Sequence, residues 1–131
     1  KTDLLTGMVG ENVVTGTLTL WYPEQLDEMR NSALILDVRT RAEYATGFVP
    51  GSLNIPHTEL RERLDEVRAA AADRPVRVMC QSGVRSAIAH RIVAQSGFDS
   101  ASLSGGMLTL RAWLGERQSD VLERPEVLAR A

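Results

Sequence analysis

Val76-Arg77-Val78-Met79-Cys80-Gln81-Ser82-Gly83-Val84-Arg85 is the stretch on which the fold of this chain turns. Its first four residues make a short apolar run of strand length. From Val84 onward, Val84, Ile88 and Ile92 recur at helical spacing, which predicts a helix over 84–95 closed by Ser96-Gly97. Between the two lies Cys80, the only cysteine among 131 residues. A strand-to-helix loop turns its backbone N–H groups into its own mouth, and the helix N-terminus adds partial positive charge; a thiolate, or an anionic group carried on it, is stabilised there. A lone cysteine at a strand end can also be a small buried hydrophobe. Gln81, Ser82 and Gly83 are poor core neighbours, however, and Gly83 lets the backbone turn closely around an anion. The reactive reading is therefore preferred, with Cys80 as nucleophile and Gln81, Ser82, Gly83, Val84 and Arg85 as its binding loop. Arg85 is a fixed cation that either clamps a carboxylate bracing the turn or faces the anion itself.

Outward from this stretch, strands and helices alternate, which predicts an α/β fold with a small, mostly parallel sheet. Thr17–Leu20 reads as an edge strand, and Pro23 opens a helix through Arg30. Ala33–Val38 is a strongly apolar strand. Thr40 and Glu43 have capping-box spacing, so a short helix is expected from Arg41 to Thr46, stopping at Gly47. Ser52–Ile55 reads as a short strand, and Thr58 is placed to cap a helix burying Leu60, Leu64 and Val67. Ala101–Leu103 is the last strand and Met107–Leu114 the last full helix; from Ser119 a weak helix or tail follows, interrupted at Pro125.

Composition narrows the function classes. One domain is expected for this length. The net charge of −2, with basic and acidic residues interspersed, argues against a nucleic-acid binder. No apolar run is long enough to span a bilayer, and no charged-then-apolar leader follows Lys1, so neither a membrane anchor nor a secretory signal is expected. A single cysteine suits a reducing compartment, and the cytoplasm is the expected location. Lys1 is the sole lysine, leaving arginine or backbone N–H groups to meet any anion. His57, His90 and Cys80 lack metal-ligand spacing, so no metal is expected. Both histidines read as surface residues, His90 on a helix whose apolar face lies elsewhere. Gly105-Gly106 reads as a tight turn, and Trp21 and Trp113 as packing residues.

Ordered motifs now carry a resemblance. Leu36-Asp37-Val38-Arg39, then Glu43-Tyr44, then Gly47–Pro56 resemble the segment preceding the active site of rhodanese domains. Cys80–Arg85 resembles their active-site loop, and Ser104-Gly105-Gly106 with Trp113 their closing turn and helix. Phe48 stands where that family commonly has histidine. The resemblance implies a rhodanese-like fold, a five-stranded mostly parallel sheet flanked by helices on both faces, over 17–118. It further implies a sulfurtransferase that takes sulfane sulfur onto Cys80 as a persulfide and passes it to a thiol, with no metal or organic cofactor in the domain. Asp37, Arg39 and Glu43 become loop-supporting residues, with Asp37 or Glu43 as the partner of Arg85. Rhodanese-like phosphatases and arsenate reductases place five residues between cysteine and arginine; four stand here, a smaller cradle. A non-catalytic binding domain on the same fold is a further alternative, weakened by the presence of the cysteine.

Residues 8–16 with Leu20-Trp21 resemble the linker after the dimerisation domain of coenzyme A-disulfide reductase-type flavoproteins, some of which carry a C-terminal rhodanese domain. This implies that 1–16 is a linker or N-terminal helix from a preceding reductase domain and that a parent protein would bring FAD, NAD(P)H and coenzyme A; 119–131 is taken as a C-terminal tail from its own weak pattern. Small sulfane-sulfur donors, thiol acceptors and a fused reductase are the partners so implied.

Overall fold

A computed structural model of the chain describes residues 18–125. Five strands form one sheet: β1 (Leu20–Trp21), β2 (Leu34–Asp37), β3 (Leu53–Asn54), β4 (Val76–Met79) and β5 (Ser100–Leu103), in the spatial order β1-β5-β4-β2-β3. Every pairing is parallel, with Leu36 opposite Val78 and Val78 opposite Ser102 across the centre. Parallel pairing forces each connection to cross a face of the sheet, so both faces are covered and the strands are apolar on both sides. Leu34, Leu36, Val38, Val76 and Val78 face one way and pack with Val67, Ala89 and Val93. Ile35, Met79, Ala101 and Leu103 face the other and pack with Leu26, Met107 and Leu110.

The helices are α1 (Leu26–Ser32), α2 (Arg41–Tyr44), α3 (Leu64–Ala71), α4 (Val84–Gln95), α5 (Gly106–Leu114) and α6 (Gln118–Val121). Single 3₁₀ turns at Pro23–Gln25 and Gly115–Arg117 lead into α1 and α6. The helix expected from Thr58 starts instead as a 3₁₀ segment, His57–Arg63, before α3. Thr58 does not cap it; the first turn closes from Glu59 N–H to Pro56 O at 2.8 Å. The edge strand is displaced toward Trp21, whose buried indole donates from Nε1 to Val78 O at 3.0 Å. Beyond α6, Phe48 and Glu123 exchange two main-chain hydrogen bonds of 2.8 Å, and Val121 and Leu122 pack on the second core.

The bounds of α4 match the spacing argument, yet its buried face does not. Val84 and Ile88 are 67% and 50% exposed, while Ser86, Ala89, His90, Ile92 and Val93 face the sheet. Small and polar side chains win this face because β5 offers hydroxyl partners: Ser102 to Ser86 and Ser100 to His90. His90, expected at the surface, is 6% exposed with its Nδ1 hydrogen-bonded to Ser100 Oγ at 2.8 Å. Trp113 is 42% exposed and lies under the Arg117 guanidinium at 4.6 Å, outside the core.

Candidate active site

The strand order puts β4 at the centre of the sheet, with β2 and β5 on either side. The loop leaving β4 therefore sits in the crevice beyond the strand ends, where ligands bind in open parallel sheets. Cys80 closes β4 and is fully buried. Its Sγ accepts hydrogen bonds from the backbone N–H of Gly83 at 3.1 Å and of Ser86 at 3.2 Å. Ser86 is in the first turn of α4, so the sulfur lies against the N–H groups that a helix leaves unpaired at its start. Both donors favour negative charge on sulfur. Gly83 makes the curl with φ of +105°, a conformation that strains any L side chain.

A second helix completes the loop. The first N–H groups of α5 reach across, Met107 to Cys80 O at 2.8 Å and Leu108 to Gln81 O at 3.0 Å. These are the two carbonyls that a longer α4 would have bonded to the amides of Val84 and Arg85. With both carbonyls engaged elsewhere, no main-chain acceptor among the described residues takes those two amides. Gly106 permits the approach: a Cβ there would stand 2.6 Å from Cys80 O and from Gln81 C and O, and its φ is +62°. The Gly105-Gly106 pair is thus a turn, as its sequence says, and also the contact surface between α5 and the loop.

The Arg85 question resolves in favour of the brace. Its Nη1 and Nη2 meet Glu43 Oε1 and Oε2 at 2.7 and 2.8 Å. Glu43 is itself fixed by the Thr40 capping box, accepting from Thr40 N at 2.9 Å. Hydrogen bonding from Arg85 chiefly, opposed by burial and aided by Thr40, pulls the Glu43 carboxyl down to about 2. The same bonds raise Arg85 above its ordinary value.

Asp37, the other candidate partner, is brought elsewhere. Its carboxylate is bonded to the Arg39 side chain, with Nε 3.0 Å from Oδ1 and Nη2 2.8 Å from Oδ2, both residues fully buried. Arg39 then donates to Glu43 O and Gly47 O at the end of α2. Asn54 Nδ2 donates to the carbonyls of both Asp37 and Arg39 at 3.0 Å. Asp37 and Arg39 therefore hold α2, and α2 presents Glu43 to Arg85. Ser86 was not singled out by sequence, although its amide and its Oγ bonds to Ser102 (2.7 Å) and Gly83 O (3.2 Å) shape the loop. A serine behind an arginine at a helix start has no sequence signal to mark it.

Three or more metal-binding side chains do not cluster anywhere among the described residues. No helix among them is long and apolar enough to cross a membrane.

A sole cysteine at the N-terminus of α4, held in a loop that α5 braces, sits at the crevice of a small parallel α/β sheet. Residues 22–112 match the rhodanese-like domain family, and the chain belongs to it. It is 37% identical over 86 residues to the thiosulfate sulfurtransferase GlpE of Pseudomonas paraeruginosa, covering 64% of this chain and 76% of that protein. The crystal structure of reduced Bacillus anthracis CoADR-RHD superposes with a TM-score of 0.69 and 32% identity, covering 76% of this chain and 18% of that one. A NAD-dependent persulfide reductase from A. fulgidus superposes at 0.58 with 35% identity, over 70% of this chain and 16% of that one. The chain spans from 18% to 70% of the length of other curated relatives it matches.

Proposed function

We propose that this domain is a sulfurtransferase that carries sulfane sulfur on Cys80. The observation that carries the reading is the pair of N–H bonds from Gly83 and Ser86 onto Cys80 Sγ inside a loop whose Val84 and Arg85 amides are left without main-chain acceptors. Cys80 as thiolate attacks the outer sulfur of a donor. A new S–S bond forms to Cys80, the donor's own S–S bond breaks, and its electron pair leaves with the departing fragment, as sulfite when the donor is thiosulfate. The charge moves outward by one atom, onto the terminal sulfur, where the loop amides receive it once they have shifted to admit the donor. An acceptor thiolate then attacks that terminal sulfur and frees Cys80. Because Cys80 is fully buried, the loop amides must shift off Sγ before a donor reaches it.

Arg85 works through position: locked to Glu43, it holds the loop shape and is not released toward an oxyanion. This, with four residues between Cys80 and Arg85, weighs against phosphate or arsenate chemistry. The identities above 30% with a CoADR-RHD protein and a persulfide reductase support a second element: the domain serves as the sulfur-handling module of a larger flavin-linked reductase, with residues 1–16 as the connecting segment. The expected tail from 119 is in part built into the fold, since α6, Val121, Leu122 and the Phe48–Glu123 bridge pack on it. Residues 1–17 and 126–131 lie outside the described residues. The cytoplasm is the proposed compartment.

The test is intact-mass analysis after thiosulfate or polysulfide treatment. One sulfur atom should be gained and lost again on adding cyanide or thiol, and Cys80→Ser should gain none. Sulfur transfer at full rate by Cys80→Ser would sink the assignment.

A further inference from the structure

The two hydrogen bonds that Cys80 Sγ accepts are not equivalent. The one from Gly83 N–H is only partly buried, in a segment whose neighbour Ser82 is exposed. The one from Ser86 N–H is buried, and Ser86 itself has no solvent contact. Behind it stands Ser102 of β5, also buried, whose Oγ lies 2.7 Å from Ser86 Oγ. Ser86 Oγ is in turn 3.2 Å from Gly83 O. A hydroxyl has one proton to donate, and counting protons fixes the direction of this chain. If Ser86 donated to Ser102, the Ser102 proton would be left buried with no other acceptor among the described residues. With Ser102 donating to Ser86 and Ser86 to Gly83 O, both protons are used, as buried polar groups require. Ser102 is itself anchored: its N–H donates to Thr19 O at 2.8 Å, and it pairs with Val78 on its other side. The chain therefore runs from the sheet to the loop and ends on the peptide that joins Gly83 to Val84. That peptide is trans, so holding its carbonyl inward turns the Val84 N–H back toward the loop mouth. Packing alone does not call for hydroxyls here, since Ala89 and Val93 fill the same face of α4 with hydrocarbon.

We infer that Ser102 and the Ser86 hydroxyl are positioning residues for Cys80: their hydrogen-bonded chain aims the loop amides on which the charge of the sulfur rests, although neither hydroxyl bonds to the sulfur. The inference rests on the reading of Cys80 as the sulfur carrier and assigns control of its ionisation to a side chain of β5. An amide favours thiolate over thiol only while its N–H stays aimed at the sulfur. Without the Ser102 hydroxyl, Ser86 loses its side-chain tether to the sheet, and its amide loses that aim. Without the Ser86 hydroxyl, the Ser102 proton is buried and unpaired, a costlier defect. Removing both hydroxyls takes away the orphaned proton together with the tether. The chain thus dictates an order among the variants that simple loss of packing volume does not.

The experiment alkylates Cys80, the only cysteine of the 131-residue chain, with excess iodoacetamide at about pH 5 and about pH 9. Wild type, Ser86→Ala, Ser102→Ala and the double variant are compared. Dividing the two rates within each protein removes differences in how readily the loop opens. The ratio of the alkaline to the acid rate should rise about threefold or more in Ser102→Ala, as expected for weakening one hydrogen bond to a charged acceptor. In the double variant it should rise no further than in the more affected single variant, because the two hydroxyls act as one chain. In urea unfolding Ser86→Ala should be the least stable of the four, with the double variant recovering part of the loss. Should Ser86→Ala not fold, Ser102→Ala still carries the test, because it leaves no hydroxyl proton unpaired. A ratio that Ser102→Ala leaves at the wild-type value overturns the inference, whatever happens to stability. A double variant less stable than Ser86→Ala overturns the direction of the chain. Neither result touches sulfur transfer, which polysulfide loading of the wild-type chain reads by intact mass; failure to load overturns that reading instead.

Discussion

Arg85 and Glu43 meet end to end, two guanidinium nitrogens on two carboxylate oxygens at 2.7 and 2.8 Å, across a sequence separation of 42 residues. This contact ties the start of α4 to α2. Arg85→Lys keeps the charge and loses the fork. Sulfur transfer should fall by about tenfold or more while the circular dichroism spectrum is retained. Turnover equal to wild type would show that the brace does not position the loop.

The same pair gives a pH dependence. The Glu43 carboxyl is lowered from 4.5 to about 2 in the folded state. Its contribution to stability is therefore complete above about pH 4.5 and is lost as pH falls toward 2. Because both side chains are partly solvated, the loss should be about 1 kcal/mol. Urea titrations of wild type and Glu43→Gln between pH 5 and pH 2 should converge at the acid end; parallel curves would rule the coupling out.

Burial of His90, with smaller contributions from Arg77 and Arg91, lowers its ordinary value of 6.5. The unfolded chain then takes up the proton first on acidification. Stability is full above about 6.5 and declines as pH drops toward the lower folded value. Replacing His90 with Gln should flatten stability against pH just below 6.5, measured by thermal unfolding. An unchanged slope would exclude His90 as its source.

Gly106 is the point at which α5 touches the loop. In Gly106→Ala the new Cβ has no room against Cys80 O and Gln81 O and the backbone is held at φ of +62°. The domain should lose about 2 kcal/mol or more. Transfer should fall further than stability accounts for, since the loop carbonyls must move. A fully active, equally stable variant would contradict the contact.

The alternation of apolar runs with helical spacing made the α/β order readable, and the Thr40/Glu43 pattern gave α2 because a capping box is a local interaction between residues three apart. The spacing of Val84, Ile88 and Ile92 fixed the length of α4 and misassigned its face. Periodicity registers apolarity alone, and the sheet-facing positions of α4 are polar residues satisfied by β5, a pairing that only tertiary structure supplies. In the site, Cys80, Gly83 and Arg85 announced themselves by type. Ser86 and the amides of Met107 and Leu108 act through the main chain, which every residue has, so their identity carried no signal. The partner of Arg85 was narrowed to two carboxylates, and the choice fell to Glu43 because Asp37 is already consumed by Arg39.

Arg39 and Asp37 are both without solvent contact. Arg39→Met alone leaves a buried carboxylate, and should cost about 3–5 kcal/mol. Adding Asp37→Leu should recover much of that in urea unfolding, because the uncompensated charge is gone. A double variant no more stable than the single would show that the hydrogen bonds to Gly47 O and Glu43 O, and not the charge pair, matter most.

That pair also sets the routes by which this sequence can drift. A lineage that changes Asp37 or Arg39 singly passes through a chain with a naked charge in its interior. A descendant can leave the pair only by altering both codons together or by first acquiring slack in stability elsewhere. Two buried positions away from the Cys80 loop thus respond to substitution as one unit.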